Sequence, residues 1–344
     1  MIEGRISVLI PSGSGAPGFA GIAACLREDP RIRLVSGDMR ADAYGKSLSD
    51  AFYLMPPSND SLYINRILEI CTKEKIHVIL PITTAELIVL SEKSDVFVKQ
   101  GIQVLVSSIE GLKQSNDKGR LHTWAKTNGI AVPEGNVCLN KGEFEETANR
   151  LLLRHPRLFF KPVTGNGSRG IGLICGEIEP VISSNKPELM ALLLAEWLQR
   201  LPENFEVPIL LTEYLPGKEY SVDAFIWDGY DTIAIPRSRD KMVSGISVSG
   251  KFERNELLIS ETKKVVEALV LRGPIGVQWR YNADGLPHLL EINPRLQGTT
   301  STLRHVGLNI PLMAVKRSLG IDVELPEALN WNRSFTRHWQ DVFL

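Results

Sequence analysis

Ile275-Gly-Val-Gln-Trp-Arg-Tyr-Asn-Ala-Asp-Gly-Leu-Pro-His-Leu-Leu-Glu-Ile-Asn-Pro-Arg295 decides the reading of this chain, because it folds on paper into a hairpin that gathers metal ligands. Asp284-Gly285 is a two-residue hairpin signal, since a type I′ turn needs positive φ at both central residues. With that turn at the tip, facing positions sum to 569, so Gln278 lies opposite Glu291 with both side chains on one face of the sheet. Asn293 joins them, while Leu290 and Ile292 alternate to the opposite, apolar face. A carboxylate flanked by two amide oxygens suits a hard cation such as Mg²⁺, which takes its remaining ligands from water and phosphate. Pro294 then stops the ladder, and Arg295 reaches an anionic group beside the metal. An amphipathic hairpin with a wet polar face is the plain structural alternative, so other motifs must decide.

Upstream, Leu158 to Ile174 reads as an apolar strand, a glycine-rich loop and a second apolar strand. Gly165, Gly167 and Gly170 let the backbone approach phosphate oxygens, and Lys161 and Arg169 add positive charge. The loop joins strand to strand and lacks Gly-Lys-Ser/Thr, which excludes the strand-to-helix P-loop. A third stretch, Ile209 to Phe225, is two apolar strand patterns split by Pro216-Gly217. Its backbone at Glu213, Tyr214 and Leu215 offers the donor and acceptor that a purine edge needs, and Glu219 offers a carboxylate for ribose hydroxyls.

Taken together, the three stretches resemble the ATP-grasp superfamily, nearest its carbamoyl-phosphate-synthetase-like branch, over most of the chain. Ser115-Asn-Asp-Lys-Gly119 followed by Asn128-Gly-Ile-Ala-Val-Pro133 is similar to the opening of the ATP-grasp module. The resemblance implies an α/β protein with a Rossmann-like pre-ATP-grasp domain at 1–112 and two α+β lobes at 113–185 and 186–325 that clamp ATP. A tail at 326–344 packs on the core. It also implies that Lys118 and Lys161 contact phosphate, and that residues 164–170, including Gly165, Gly167, Ser168 and Gly170, cover the phosphates. Glu213, Tyr214 and Leu215 would flank the adenine, Glu219 would hold the ribose, and Gln278, Glu291 and Asn293 would hold Mg²⁺, for which Mn²⁺ can substitute. Arg295, Lys161 and Arg169 would act on the transferred phosphoryl group. Two departures stand out: many relatives carry a carboxylate where this chain has Gln278, and Leu296-Gln-Gly-Thr-Thr-Ser301 fits no particular subfamily.

The reaction so implied is attack of a carboxylate on the γ-phosphoryl of MgATP, followed by capture of the acyl phosphate by an amine. Such chemistry asks mainly for positioning and charge neutralisation, without a covalent nucleophile. Bicarbonate as the activated acid is the first alternative. A second alternative rests on Gly13-Ser-Gly-Ala-Pro-Gly18, which fits Gly-x-Gly-x-x-Gly after a strand, with Asp38 20 residues beyond Gly18; this is the fingerprint of an NAD(P)-dependent oxidoreductase. Pro17 inside it is unusual, and the pre-ATP-grasp reading instead turns Gly15, Gly18 and the loop Pro81 to Glu86 toward the acceptor. A nucleotide sensor without activity is a third alternative, opposed by the intact Lys118, Lys161, Glu291 and Asn293.

The remaining features agree with a small-molecule enzyme. Among 344 residues, 43% are hydrophobic and 23% charged, ordinary for a globular protein, and a net charge of −1 leaves no footprint for nucleic acid. Cys25, Cys71, Cys138 and Cys175 are widely spaced in apolar contexts, as expected of reduced thiols in a cytoplasmic protein. The six histidines have no ligand spacing. No apolar run is long enough for a membrane span, and no signal peptide is evident. Ile2-Glu-Gly-Arg5 spells a common engineered protease site. The expected partners are a small carboxylate and an amine, with a homodimer as the open alternative to a monomer. Strands are expected at 6–10, 32–35, 77–80 and 104–106, helices at 188–201 and 260–270, and a strand or interface cap in the tail. Arg237 and Arg239, two apart in a strand, are expected to fork one substrate carboxylate or phosphate.

Overall fold

The computed structural model describes residues 4–165, 170–176, 190–243, 245–338 and 340–343. Five parallel strands open the chain: β1 (Ile6–Ile10), β2 (Ile32–Asp38), β3 (Ala51–Leu54), β4 (Val78–Ile79) and β5 (Gln103–Val104), in the order β3-β2-β1-β4-β5. Every residue of β1 is buried because helices cover both faces of the sheet, which is why it reads as an unbroken apolar run rather than an alternation. Val8 and Ile10 pack toward helix Phe19–Leu26, whereas Leu9 packs toward helix Tyr63–Glu74.

A second sheet contains β6 (Gly135–Asn140), β7 (Arg157–Pro162), β8 (Gly172–Cys175), β9 (Ala191–Leu193) and β10 (Asn204–Glu213), in the order β6-β10-β7-β8-β9. Strand β10 pairs with both β6 and β7, so a lobe division at 185/186 falls inside this sheet. The expected helix 188–201 is a helix only over Leu194–Arg200. Ala191 to Leu193 instead pair with Leu173 to Cys175, the apolar run completing a sheet edge, and 188–189 lie outside the described residues.

The rest of the chain adds β11 (Glu219–Ile226), β12 (Ile233–Ser238), β13 (Lys241–Val243), β14 (Ile246–Lys251), β15 (Gly273–Tyr281), β16 (Pro287–Asn293) and β17 (Ser334–Thr336). Strands β12-β11-β15-β16 form an antiparallel sheet, and β13-β14-β17 a smaller one in which the tail returns as a strand against β14. Helix Glu256–Ala268, begun by Asn255 whose side chain accepts from Leu258 N–H, packs on the four-stranded sheet. There Trp279 is fully buried and its Nε1 donates to Thr262 Oγ1 at 2.9 Å. Beyond the site the chain turns back: the 3₁₀ segment Thr300–Val306 and helix Ile310–Ser318 share one apolar core with helix Phe19–Leu26 and β1. No helix among the described residues is long and apolar enough to cross a membrane.

The Gly13 turn does not present itself to a dinucleotide. Gly15 N–H donates to Asp38 Oδ2 at 2.8 Å, and Asp38 is buried and also accepts from Arg40 N–H at 3.0 Å. The carboxylate that the fingerprint needs for a ribose therefore closes its own loop. Gly18 abuts another backbone, since a Cβ there would lie 2.7 Å from Gly298 Cα.

Candidate active site

Gln278 does pair with Glu291, but by a different route from a two-residue turn. Asn282 N–H bonds Leu286 O at 2.9 Å, and the Asn282 Oδ1 accepts from Asp284 N–H and Leu286 N–H, so three residues form the tip. Of those three only Gly285 takes positive φ, at 75°, which rules out type I′. The tip shifts the register, giving Arg280 opposite His288 and Trp279 opposite Leu289; a bulge at Leu290 then restores Gln278 opposite Glu291. Two one-residue displacements cancel. Leu290 consequently does not join Leu289 and Ile292 in the apolar core but lines the cleft, and its carbonyl accepts from Lys161 Nζ at 2.9 Å.

The oxygen donors sit in a cavity of about 340 Å³ lined by Gln278, Glu291, Asn293 and Arg295 together with Lys118, Lys161 and Gly165. Asn293 Nδ2 donates to Glu291 Oε1 at 3.1 Å, leaving the Asn293 amide oxygen for a cation. Burial pushes the Glu291 carboxyl up, but Lys161, Lys118, the Asn293 bond and Arg239 outweigh it and hold the group below its ordinary value. The described residues contain no cluster of three His, Cys, Asp or Glu side chains, so a metal here would rest on one carboxylate, two amides and its ligand's own phosphates. That donor set fits Mg²⁺.

Lys118 opens helix Lys118–Thr127, whose start is capped by Asp117 accepting from Gly119 N–H and Arg120 N–H, both at 2.9 Å. Lys118 N–H bonds Val163 O at 2.8 Å and its Nζ bonds Gly165 O at 3.0 Å, which ties the helix to the glycine loop. Gly165 and Gly170 adopt φ of 121° and 68°, where glycine is favoured. Gly167, Ser168 and Arg169 lie outside the described residues.

A second cavity of about 530 Å³ adjoins the first, sharing Lys118, Lys161, Glu219, Arg239 and Leu290. Glu213, Tyr214 and Leu215 line it, and among the described residues Leu215 N–H has no hydrogen-bond partner. The Glu213 side chain takes Glu134 N–H at 2.9 Å, its own N–H donates to Glu134 O at 2.8 Å and its carbonyl accepts from Thr212 Oγ1 at 3.0 Å, so Glu213 is tied into the sheet and Leu215 offers the open backbone donor. The sequence reading missed Leu121 and His122, on the same helix face as Lys118, and Leu289 on β16; all three line the cavity, and the helical spacing 118/122 was the available signal. Glu219 is bound by Arg239 Nε at 2.9 Å, with Arg280 Nη1 at 3.7 Å.

The two arginines do not share one substrate group. Arg237 is fully buried, with Nε donating to Asp223 Oδ2 at 2.8 Å, whereas Arg239 serves Glu219, Ser221 Oγ and Gly245 O. Arg237 lies in β12 and Arg239 just past its end, and each meets a different carboxylate from β11. Gly15 and Gly18 do not line either cavity; Gly18 touches the site only through Gly298.

These two cavities, the smaller bordered by Gly165 and both closed on one side by the β15–β16 hairpin, form the cleft of an ATP-grasp fold, and an ATP-grasp family matches the C-terminal part of the chain. Residues 205–340 match the family described as ATP-grasp in the biosynthetic pathway with Ter operon, and residues 22–105 match the PylC-like N-terminal domain. Solved structures share the fold at low identity. N5-carboxyaminoimidazole synthetase from Staphylococcus aureus, complexed with ADP, is 12% identical with a TM-score of 0.71, covering 97% of this chain and 81% of that one. The biotin carboxylase domain of Hydrogenobacter thermophilus 2-oxoglutarate carboxylase, complexed with MgADP, ADP and bicarbonate, is 16% identical with a TM-score of 0.69, covering 95% and 73%. L-Amino acid ligase from Bacillus licheniformis is 13% identical with a TM-score of 0.67, covering 92% and 75%.

Proposed function

We propose that this chain is an ATP-dependent ligase that activates a small carboxylic acid as its acyl phosphate and transfers the acyl group to an amine, releasing ADP and phosphate. The observation that carries the reading is the junction of the two cavities. A base-sized pocket bordered by Glu213 to Leu215 runs into a cationic pocket bordered by Lys118, Lys161 and Arg295, which also carries Glu291 and its two amides. Glu219 serves the ribose in this reading, and the backbone of Leu215 the adenine edge. Mg²⁺, held by Gln278, Glu291 and Asn293, would neutralise charge on the phosphates. Lys161, fixed by Leu290 O, and Lys118, fixed by Gly165 O, neutralise the transferring phosphoryl group together with Arg295, which lines the same cavity. Gly165 to Gly170 would close over the phosphates and keep water from the acyl phosphate.

The reading is tested by phosphate release from MgATP against separate pools of amino acids, other carboxylic acids and bicarbonate. Acid-dependent release of ADP and phosphate is expected. Release with bicarbonate alone would replace the amide-forming reading by a carboxylating one, and no release with any pool, with no thermal shift by MgATP, would refute both.

A further inference from the structure

Arg295 reaches the phosphoryl end of the cavity from a turn, not from a strand, so something other than a ladder must fix it. Its Nη1 donates to Leu296 O at 2.7 Å and its Nε to Thr84 Oγ1 at 3.1 Å. Thr84 belongs to the N-terminal domain, in the short 3₁₀ segment Thr84–Glu86 that follows β4. The bond therefore crosses 211 residues of sequence, and it leaves Nη2 for the cavity.

The turn that carries Thr84 is organised around a carboxylate that the proposed chemistry does not use. Glu86 is fully buried, and its Oε1 accepts from Ile82 N–H at 3.1 Å, Thr83 N–H at 2.9 Å and Thr83 Oγ1 at 2.9 Å. Its Oε2 accepts from Tyr63 OH at 2.7 Å, and that phenol is 2.7 Å from Ser12 Oγ. Gly13 lets the two loops meet, because a Cβ there would come within 2.6 Å of Thr83 Cγ2. A buried carboxylate with four donors is rigid, and rigidity at this turn is transmitted to the guanidinium it seats. Burial pushes the Arg295 guanidinium down while Glu291 and Glu86 oppose that, so Glu86 also lies within electrostatic reach of it.

We infer that Glu86 is a positioning residue for Arg295, acting through the Thr83–Thr84 turn, so that the N-terminal domain sets the geometry of phosphoryl transfer. This rests on the ligase reading for its kinetic consequence only. The test uses the full chain with Thr84→Val, Thr84→Ser, Glu86→Gln and wild type. In Thr84→Val, kcat for acid-dependent phosphate release is expected to fall about 10- to 100-fold, the usual cost of misplacing a charge-stabilising group, with KM for MgATP within about twofold. Thr84→Ser should restore it, and Glu86→Gln, which keeps the side chain's shape but replaces one acceptor oxygen by a donor among the four bonds, should fall between.

A second readout does not need a substrate. The Arg295 Nε–H resonance, identified by its loss in Arg295→Lys, should exchange with water faster in Thr84→Val and in Glu86→Gln than in wild type. Unchanged exchange and unchanged kcat in both variants would overturn the inference. So would a Glu86→Gln protein that loses only thermal stability, which would make Glu86 structural. If wild type releases no phosphate with any pool, the ligase reading fails, and the Nε–H exchange still decides whether Glu86 positions Arg295.

Discussion

Replacing Glu291 by Gln removes one negative charge and changes almost nothing else, which makes it the sharpest probe of the hairpin. In the folded protein Lys161, Lys118 and Arg239 hold the Glu291 carboxyl below its ordinary value despite burial, so the site prefers the anion. In the variant the proposed donor set becomes three neutral amides, and a Mg²⁺ held there would lose the one carboxylate among them. Loss of one such electrostatic contact in a transition state costs about 10²- to 10³-fold, or roughly 3–4 kcal/mol. The fold should barely notice: the new amide side chain keeps the place opposite Gln278, and Trp279, Leu289 and Ile292 still fill the core behind. A stability change of about 1 kcal/mol would move the melting temperature by only about 2–4 °C. Initial rates of phosphate release at saturating MgATP, with a melting curve on the same samples, check both halves. Turnover within about threefold of wild type would refute the assignment of Glu291 to the metal, and a collapse of the melting temperature would mean that the charge serves the fold.

Other outcomes follow from the same geometry. Lys161→Met should lose MgATP turnover with little change in melting temperature; unaltered turnover would count against Lys161. Asp223→Ala leaves the Arg237 charge buried without its partner, so it should destabilise the protein by about 3–5 kcal/mol, read by urea denaturation. Because the Glu291 value is depressed, its stabilising contribution is present above the ordinary carboxylate range and lost as pH falls through the folded value. MgADP protection against heat should accordingly fade on the acid side of about pH 4.3 and be level between pH 6 and 8. Burial pushes the Cys25 and Cys71 thiols up to about 12, so neither should react with a thiol reagent at pH 8 until the protein unfolds.

What could be read from sequence was what short-range physics decides. The parallel sheet announced itself by apolar runs such as Ile6 to Ile10, and Gln278 opposite Glu291 came from pattern and turn. Yet the turn was mistyped, because the Asn282 side chain competes for two backbone donors, and the bulge that compensated is invisible to alternation. Arg237 lies in β12 and Arg239 just beyond its end, and sequence spacing is silent on Asp223 and Glu219, which lie on the neighbouring strand and claim one arginine each. The link between Thr84 and Arg295 belongs to the same class, being a contact across domains that no local periodicity encodes.

The return of Thr300–Val306 and Ile310–Ser318 onto helix Phe19–Leu26 has a consequence for biogenesis. Ile22, Ala23 and Leu26 find their apolar partners in Leu303, Val306 and Met313, nearly 300 positions later. At about 5–20 residues per second, a ribosome that has finished the first sheet needs on the order of 10–40 s more to deliver that cover. During that interval the nascent first domain exposes a sticky face. Residues 1–112 made alone should therefore be a chaperone client prone to aggregation, not a freestanding domain.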